Sequence, residues 1–222
     1  MIHLVLITSV IHTPNAPLSY TNTRSIYSAE QRYEQTKNTI QSIKDKIPDA
    51  IIVIVECSKL DKSEEEFLTQ NCDIVINLYD YADIRTNVHG ISKALGEGTL
   101  TYHALNYIQQ NNIQYDSLIK ISGRYLLSDN FDLNNFNNDS IVIKYIDGDP
   151  NNVITSLYKL PHKAVEQFKL FLNDNFNLMY QCIGYEVLFS MFVNTVTYVD
   201  IKPLTQIGVE GVIAVSADYY NG

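Results

Sequence analysis

The apolar residues of this chain gather in short, dense runs bounded by polar clusters. The first, Leu4-Val5-Leu6-Ile7 within residues 3–11, predicts a strand buried on both faces. Ala50–Val55, Asp73–Leu78 and Ser117–Ile121 read the same way. Between these runs the period lengthens. Tyr33, Lys37, Ile40, Ile43 and Ile47 fall near helical spacing, and Pro48 stops that helix. Ser63-Glu64-Glu65-Glu66 has the composition of a capped helix start. Residues 91–112 hold Leu95, Leu100, Ala104, Leu105 and Ile108 in a helix expected to open at Gly96-Glu97-Gly98. Ile141–Tyr145 and Val153–Leu160 predict two strands joined across the turn Asp147-Gly148-Asp149-Pro150. Pro161–Asn173 is amphipathic, and Tyr185, Leu188, Phe189, Phe192 and Val193 repeat at helical spacing before a last strand at Val209–Val215.

Alternating strands and helices predict an α/β fold of the Rossmann-like kind: a mixed, mostly parallel central sheet flanked by helices. At 222 residues a single domain spanning 1–222 is expected. The abrupt stop at Asn221-Gly222 is compatible with one domain of a longer protein. The polar stretch from His12 to about Ala29, with Pro14 and Pro17, is long for a loop in a compact domain, and such loops are often functional.

Composition narrows the function. Lys and Arg number 16 against 25 Asp and Glu, a net charge of −9, which argues against nucleic acid as a partner. A nucleotide needs only one or two well-placed cations and stays open. Three cysteines (Cys57, Cys72 and Cys182) with no C-x-x-C pair fit a reducing, cytoplasmic location. The opening apolar run is too short for a signal peptide or a membrane span.

The segment Lys120-Ile121-Ser122-Gly123-Arg124-Tyr125 places a hydroxyl, a glycine and a guanidinium at the carboxyl end of a buried strand. Open α/β sheets bind ligands at such ends. Arg124 offers a planar fork for phosphate or carboxylate, and Gly123 permits close approach of a ligand to the backbone. The plainer reading is a turn glycine followed by an arginine paired to a nearby acid. No P-loop, H-E-x-x-H or G-x-S-x-G motif occurs, and Gly96-Glu97-Gly98 lacks the third glycine of a dinucleotide fingerprint. The five histidines show no metal-ligand spacing.

Taken in order, Thr8-Ser9-Val10, Arg24-Ser25-Ile26-Tyr27, Gln35-Thr36, Val55-Glu56-Cys57-Ser58, Ser92–Gly98, Lys120–Tyr125 and Gly184-Tyr185-Glu186 give the chain its family likeness. It resembles GT-A-type glycosyltransferases, in particular short domains of large DNA viruses and of bacterial surface-polysaccharide pathways. The resemblance implies a nucleotide-sugar donor, a UDP-sugar first, and a glycan acceptor whose hydroxyl displaces the diphosphate directly. It implies Thr8 and Ser9 against the base and ribose, and Asp80 at the ribose, the uracil or a metal. Lys93, Ser122 and Arg124 would then lie by the diphosphate. Glu186 is the implied general base, with Asp218 and Glu210 in reserve. Each has a bland alternative: a strand-terminal turn, a helix cap, a solvated lysine, or a first-turn acid stabilising its helix.

Members of that family commonly carry an Asp-x-Asp triplet that holds Mn²⁺ or Mg²⁺ where this chain reads Ser122-Gly123-Arg124. Two accounts follow for a divalent cofactor. Arg124 and Lys93 supply positive charge directly, or Asp80 and Asp218 recruit the metal. The one literal triplet, Asp147-Gly148-Asp149, falls a strand too late and has turn composition. Two rivals stand beside transfer: a domain that binds the nucleotide sugar without turnover, and a nucleotidyltransferase. The second ranks last, because the glycine-rich basic loop it wants after the first strand is replaced by Thr8-Ser9-Val10-Ile11-His12.

Overall fold

In the computed structural model, which describes residues 1–222, the four leading apolar runs are strands. They are β1 (His3–Ser9), β2 (Ile51–Glu56), β3 (Ile74–Asn77) and β4 (Ser117–Ser122), mutually parallel in the order β4-β1-β2-β3. Helices α1 (Ala29–Lys46), α2 (Lys62–Asn71), α3 (Ala82–His89) and α4 (Lys93–Gln110) make the connections. After a short β5 (Tyr125–Leu127) come β6 (Ile141–Ile143), the hairpin β7 (Tyr145–Ile146) and β8 (Asp149–Val153), and β9 (Leu157–Pro161). Helices α5 (His162–Asp174), α6 (Phe176–Tyr180) and α7 (Tyr185–Thr195) follow, then β10 (Ile201–Pro203), β11 (Val209–Val212) and β12 (Tyr219–Asn221). The main sheet has seven strands, β10-β6-β9-β4-β1-β2-β3, with β9 antiparallel to both neighbours; β12-β11-β5 form a small antiparallel sheet.

Side chains alternate across the sheet, as the period of two requires. Leu4, Leu6, Val53, Val55 and Leu118 join the core under α4, α5 and α7, whereas Val5, Ile7, Ile52, Ile54, Ile119 and Ile121 join the one under α1 and α2. Each fully buried Leu or Ile contributes roughly 1.5–3 kcal/mol by leaving water. Lys120 shares the face of Leu118, so a lysine is set into an apolar layer opposite Leu6 and Tyr158.

Helix starts lie where side chains satisfy the first free N–H groups. Ser28 and Gln31 cap α1 reciprocally. For α2 the cap is Asp61, paired with Glu64, and Ser63 falls inside the helix. In α4, Ser92 accepts from the Leu95 N–H, so the helix begins before Gly96-Glu97-Gly98 instead of opening there. The first of those glycines lets α4 lie close on α3, since a Cβ at Gly96 would stand 3.1 Å from the Val88 carbonyl. The sequence gives little sign of α3, whose only buried residue is Val88. The run 153–160 divides into β8 and β9 around Ile154-Thr155-Ser156. Asp147 (φ 51°) and Gly148 (φ 77°) form the two-residue turn of the β7–β8 hairpin, both left-handed as that turn demands.

From β1 the chain builds outward to β3, then crosses to β4 on β1's other side. This reversal opens a crevice at the carboxyl ends of β1 and β4. The roof of the crevice depends on the tail, and the tail turns at Gly208 (φ 83°), where a Cβ would overlap the Phe131 backbone. Gly208→Ala is therefore expected to lower stability by more than about 2 kcal/mol, from left-handed strain plus the clash. Urea denaturation checks this; a change below about 0.5 kcal/mol, the scale of a neutral surface substitution, contradicts it.

Candidate active site

A cavity of about 410 Å³ occupies that crevice. Thr8 and Ser9 from β1, Lys93 and Glu97 from α4, Ser122-Gly123-Arg124 at the end of β4, and Glu186 at the start of α7 all line it. The long loop after β1 and residues 213–215 of the tail cover it. Backbone bonds fasten this roof: the Ser19 N–H donates to Ile91 O (2.9 Å), and the Ile26 N–H to Ala214 O (2.8 Å). Arg24 adds Nε–H to Ala16 O (3.2 Å) and Nη2–H to the carbonyls of His89 and Gly90.

Lys120 stands at the floor, 0% exposed. Its ammonium has three protons and finds three acceptors: the Glu97 carboxylate, Ser122 Oγ (2.9 Å) and Thr155 O (2.9 Å). Glu97 also accepts from the Thr8 hydroxyl (2.9 Å). Burial pushes the Glu97 carboxyl up, but Lys120, Lys93 and Thr8 outweigh it and hold the group below the ordinary carboxylate range. Burial draws the Lys120 ammonium below the usual lysine value, with Glu97 opposing. The pair thus ties α4, β1, β4 and the 154–156 link together. Through the Thr155 hydroxyl, which donates to Glu186 Oε1 (3.2 Å), it also orients α7's carboxylate.

Around this floor the lining is cationic: Arg24, Arg32, Lys93 and Arg124 face only two carboxylates, Glu97 and Glu186. Lys93 Nζ lies 3.9 Å from Glu186 Oε1, its side chain half exposed into the cleft. Burial lowers the Lys93 pKa, but Glu186 and then Tyr20 raise it further, for a net rise. None of the three arginines forms an ion pair with a carboxylate. Burial, followed by repulsion from Arg124, brings the Arg32 guanidinium down to about 9.

Six of the residues singled out in the sequence (Thr8, Ser9, Lys93, Ser122, Arg124 and Glu186) meet at this cavity. The hydroxyls of Thr8 and Ser122 are engaged by Glu97 and Lys120, and that of Ser9 lies 3.5 Å from Thr36 Oγ1. Gly123 is small for the sake of β1. Its N–H donates to Thr8 O (2.9 Å), and a Cβ would stand 3.2 Å from Ile7, Ser9 and the Thr8 carbonyl. Asp80 lies exposed in the turn after β3 and Asp218 exposed just before β12; neither lines the cavity. Glu210 accepts from the Tyr219 hydroxyl (2.8 Å), outside it. No three His, Cys, Asp or Glu side chains come together to hold a metal ion, and the strand end offers a hydroxyl and a guanidinium. That donor set does not fit Mn²⁺ or Mg²⁺.

Glu97 and Lys120 lie inside segments that the sequence reading quotes without giving them a role, and Arg32 it passes over; all three belong to the cleft or its floor. Lys120 carried a signal: a lone charge inside an apolar strand needs a buried counter-ion. Glu97 falls four residues after Lys93, on the same helix face. Arg32, between Gln31 and Tyr33, looks like any helical surface residue.

No family model matches the chain, and no curated protein sequence does. Among solved structures it is similar to the CTP:phosphocholine cytidylyltransferase of Streptococcus pneumoniae (TM-score 0.57, 11% identity, covering 98% of this chain and 96% of that one). It is also similar to a cytidylyltransferase of Leptospira borgpetersenii (TM-score 0.50, 10% identity, 100% and 82% covered). Mouse xyloside xylosyltransferase 1 matches at a TM-score of 0.48 and 9% identity, with 92% and 85% covered. At these identities what is shared is the fold, a mixed α/β sheet flanked by helices.

Removing one partner of the Lys120–Glu97 pair strands a buried charge, so Lys120→Met and Glu97→Gln are each expected to cost about 3–5 kcal/mol. The double variant is expected to cost less than the sum, and denaturant titration of the three variants tests that coupling. Because the folded Glu97 pKa is depressed, its stabilisation is full above the unfolded value of 4.5 and is lost as pH falls through the folded one. The loss of stability from about pH 5 to pH 3 is therefore expected to be smaller in the double variant than in the wild type.

Proposed function

We propose that this chain is a glycosyltransferase that moves a sugar from a nucleoside-diphosphate donor, a UDP-sugar first, to a hydroxyl of a glycan acceptor. The observation that carries the proposal is the sharing of one cleft by a carboxylate and a set of cations at the switch point of the sheet. Glu186 receives Thr155 and Lys93 on Oε1, and Oε2 accepts no hydrogen bond from the protein. That free oxygen suits a general base. In the proposed step the acceptor oxygen bonds to the anomeric carbon, its proton passes to Glu186, and the bond to the diphosphate oxygen breaks with its electron pair leaving on the nucleoside diphosphate. Lys93 and Arg124 stabilise the charge that develops there, in the place of a metal.

A second reading, nucleotidyl transfer, is favoured by one observation: two solved structures to which the chain is similar, at TM-scores of 0.57 and 0.50, are cytidylyltransferases. The products separate the two. Glycosyl transfer releases a nucleoside diphosphate from a nucleotide sugar, whereas nucleotidyl transfer releases pyrophosphate from a nucleoside triphosphate.

Glu186→Gln is expected to lower turnover at least about 100-fold while donor affinity, read by calorimetry, is kept. Turnover of the wild type is expected to persist in EDTA. Release of pyrophosphate from CTP or UTP, with no nucleotide sugar consumed, would move the assignment to the second reading. Undiminished turnover by the Gln variant would remove Glu186 from the chemistry.

A further inference from the structure

Arg32 sits in the first turns of α1 and is only 8% exposed. Its Nε–H donates to Val10 O (2.7 Å), which fixes the plane of the guanidinium, and Nη1 reaches Ser25 Oγ only at 3.4 Å. Nη2 finds no partner in the protein, and the side chain lines the cavity. Arg124 reaches the same cavity from the end of β4; its guanidinium lies 5.6 Å from the centre of the Tyr125 ring, and its one side-chain hydrogen bond is a 3.5 Å approach of Nη1 to Val212 O. The two are held to each other through the backbone: the Thr36 hydroxyl, one turn beyond Arg32, lies 3.0 Å from Arg32 O and 3.1 Å from Gly123 O.

No carboxylate forms an ion pair with either arginine. Glu97 is committed to Lys120, and Glu186 faces Lys93. Glu56, the one acid that acts on Arg32, accepts from the Ile11 and Cys57 N–H groups and the Ser58 hydroxyl on Oε1, its Oε2 makes no hydrogen bond, and burial pushes its carboxyl up toward the neutral form. Two guanidiniums that open into one cavity repel each other, and an anion between them relieves that repulsion. In a chain of net charge −9, that anion has to be drawn to a local surplus.

We infer that Arg32 and Arg124 form a metal-free clamp for a diphosphate group. Two planar forks suit the several oxygens of a phosphoanhydride better than one carboxylate. The charge balance agrees. With Glu97 neutralised by Lys120, four cations face Glu186 alone, a surplus of three. A released nucleoside diphosphate carries about three negative charges near neutral pH. That the diphosphate belongs to a nucleotide rests on the proposed function; the clamp rests on the geometry of the two arginines.

The test is thermal unfolding in EDTA with inorganic pyrophosphate, UDP and CDP as separate probes. Four proteins are compared: wild type, Arg124→Gln, Arg32→Lys and a control, Lys62→Gln, at a side chain 90% exposed on α2. Pyrophosphate is expected to stabilise the wild type and the control alike, with affinity falling roughly tenfold or more in each arginine variant, since a lost fork removes paired charge-assisted bonds. Arg124 makes one long hydrogen bond and one wide contact with the Tyr125 ring, so Arg124→Gln without ligand is expected to melt close to the wild type. The clamp is overturned by a wild type that ignores pyrophosphate, by binding that appears only with added Mg²⁺, or by an Arg124→Gln protein that binds as the wild type does. Pyrophosphate binding with no response to UDP or CDP keeps the clamp and removes the nucleotide reading. Nucleotide binding indifferent to both arginine changes keeps that reading and removes the clamp.

Discussion

The architecture of the cleft hangs on one buried ammonium. Lys120 lies in a strand whose neighbours are apolar on both faces, and water cannot reach it. Desolvating that charge is tolerable only because Glu97, Ser122 and Thr155 converge on it. The convergence constrains the fold. It sets α4 so that its second turn, and not its first, faces β4, and it interrupts the run between β8 and β9 so that a carbonyl turns inward. Buried ion pairs seldom add stability over an apolar filling, so the geometry they impose is the more telling consequence. Thr155 gives its carbonyl to Lys120 and its hydroxyl to Glu186, which makes the position of the carboxylate in the cleft a property of the floor.

That floor also decides the sign of the cleft. With Glu97 neutralised from below, Arg24, Arg32, Lys93 and Arg124 are opposed from within the cavity by Glu186 alone. The rest of the molecule is acidic, so the cleft is a local reversal of the protein's charge, focused by low-dielectric walls. Such a reversal attracts a compact polyanion and does little for an extended nucleic acid backbone.

The sheet was legible because strands buried on both faces leave dense apolar runs, and α7 because its apolar stripe keeps the helical period without interruption. The polar α3 left no such trace. The start of α4 was masked by glycines that serve its packing, Gly96 on α3 and Gly98 on Met179 of α6, while the capping serine lay four residues before the first of them. Arg124, Lys93 and Glu186 could be placed from the strand and helix ends they occupy. Pairings such as Lys120 with Glu97, or Arg32 with Arg124, join residues far apart in sequence, and only the closed sheet brings them together. Asp80 and Asp218 show the reverse: acids at plausible strand and tail positions that the folded chain leaves on the surface, away from the cavity.

Glycosyl and nucleotidyl transfer ask the same thing of this sheet, that negative charge on a diphosphate be met as a bond to it breaks. They differ in which side of the phosphorus chain the attacking group approaches. A nucleotidyl acceptor attacks phosphorus itself, and the phosphate cations must leave that face open. A glycosyl acceptor attacks carbon, one bond removed, and wants a base beyond the phosphates. Here the cations come from α1, α4 and the end of β4, while the carboxylate comes from α7 and is braced against Lys93. A carboxylate on a separate element, facing a lysine and free on one oxygen, is the part that the proposed attack at carbon requires. That arrangement is why glycosyl transfer stands first, although the fold alone would serve either reaction.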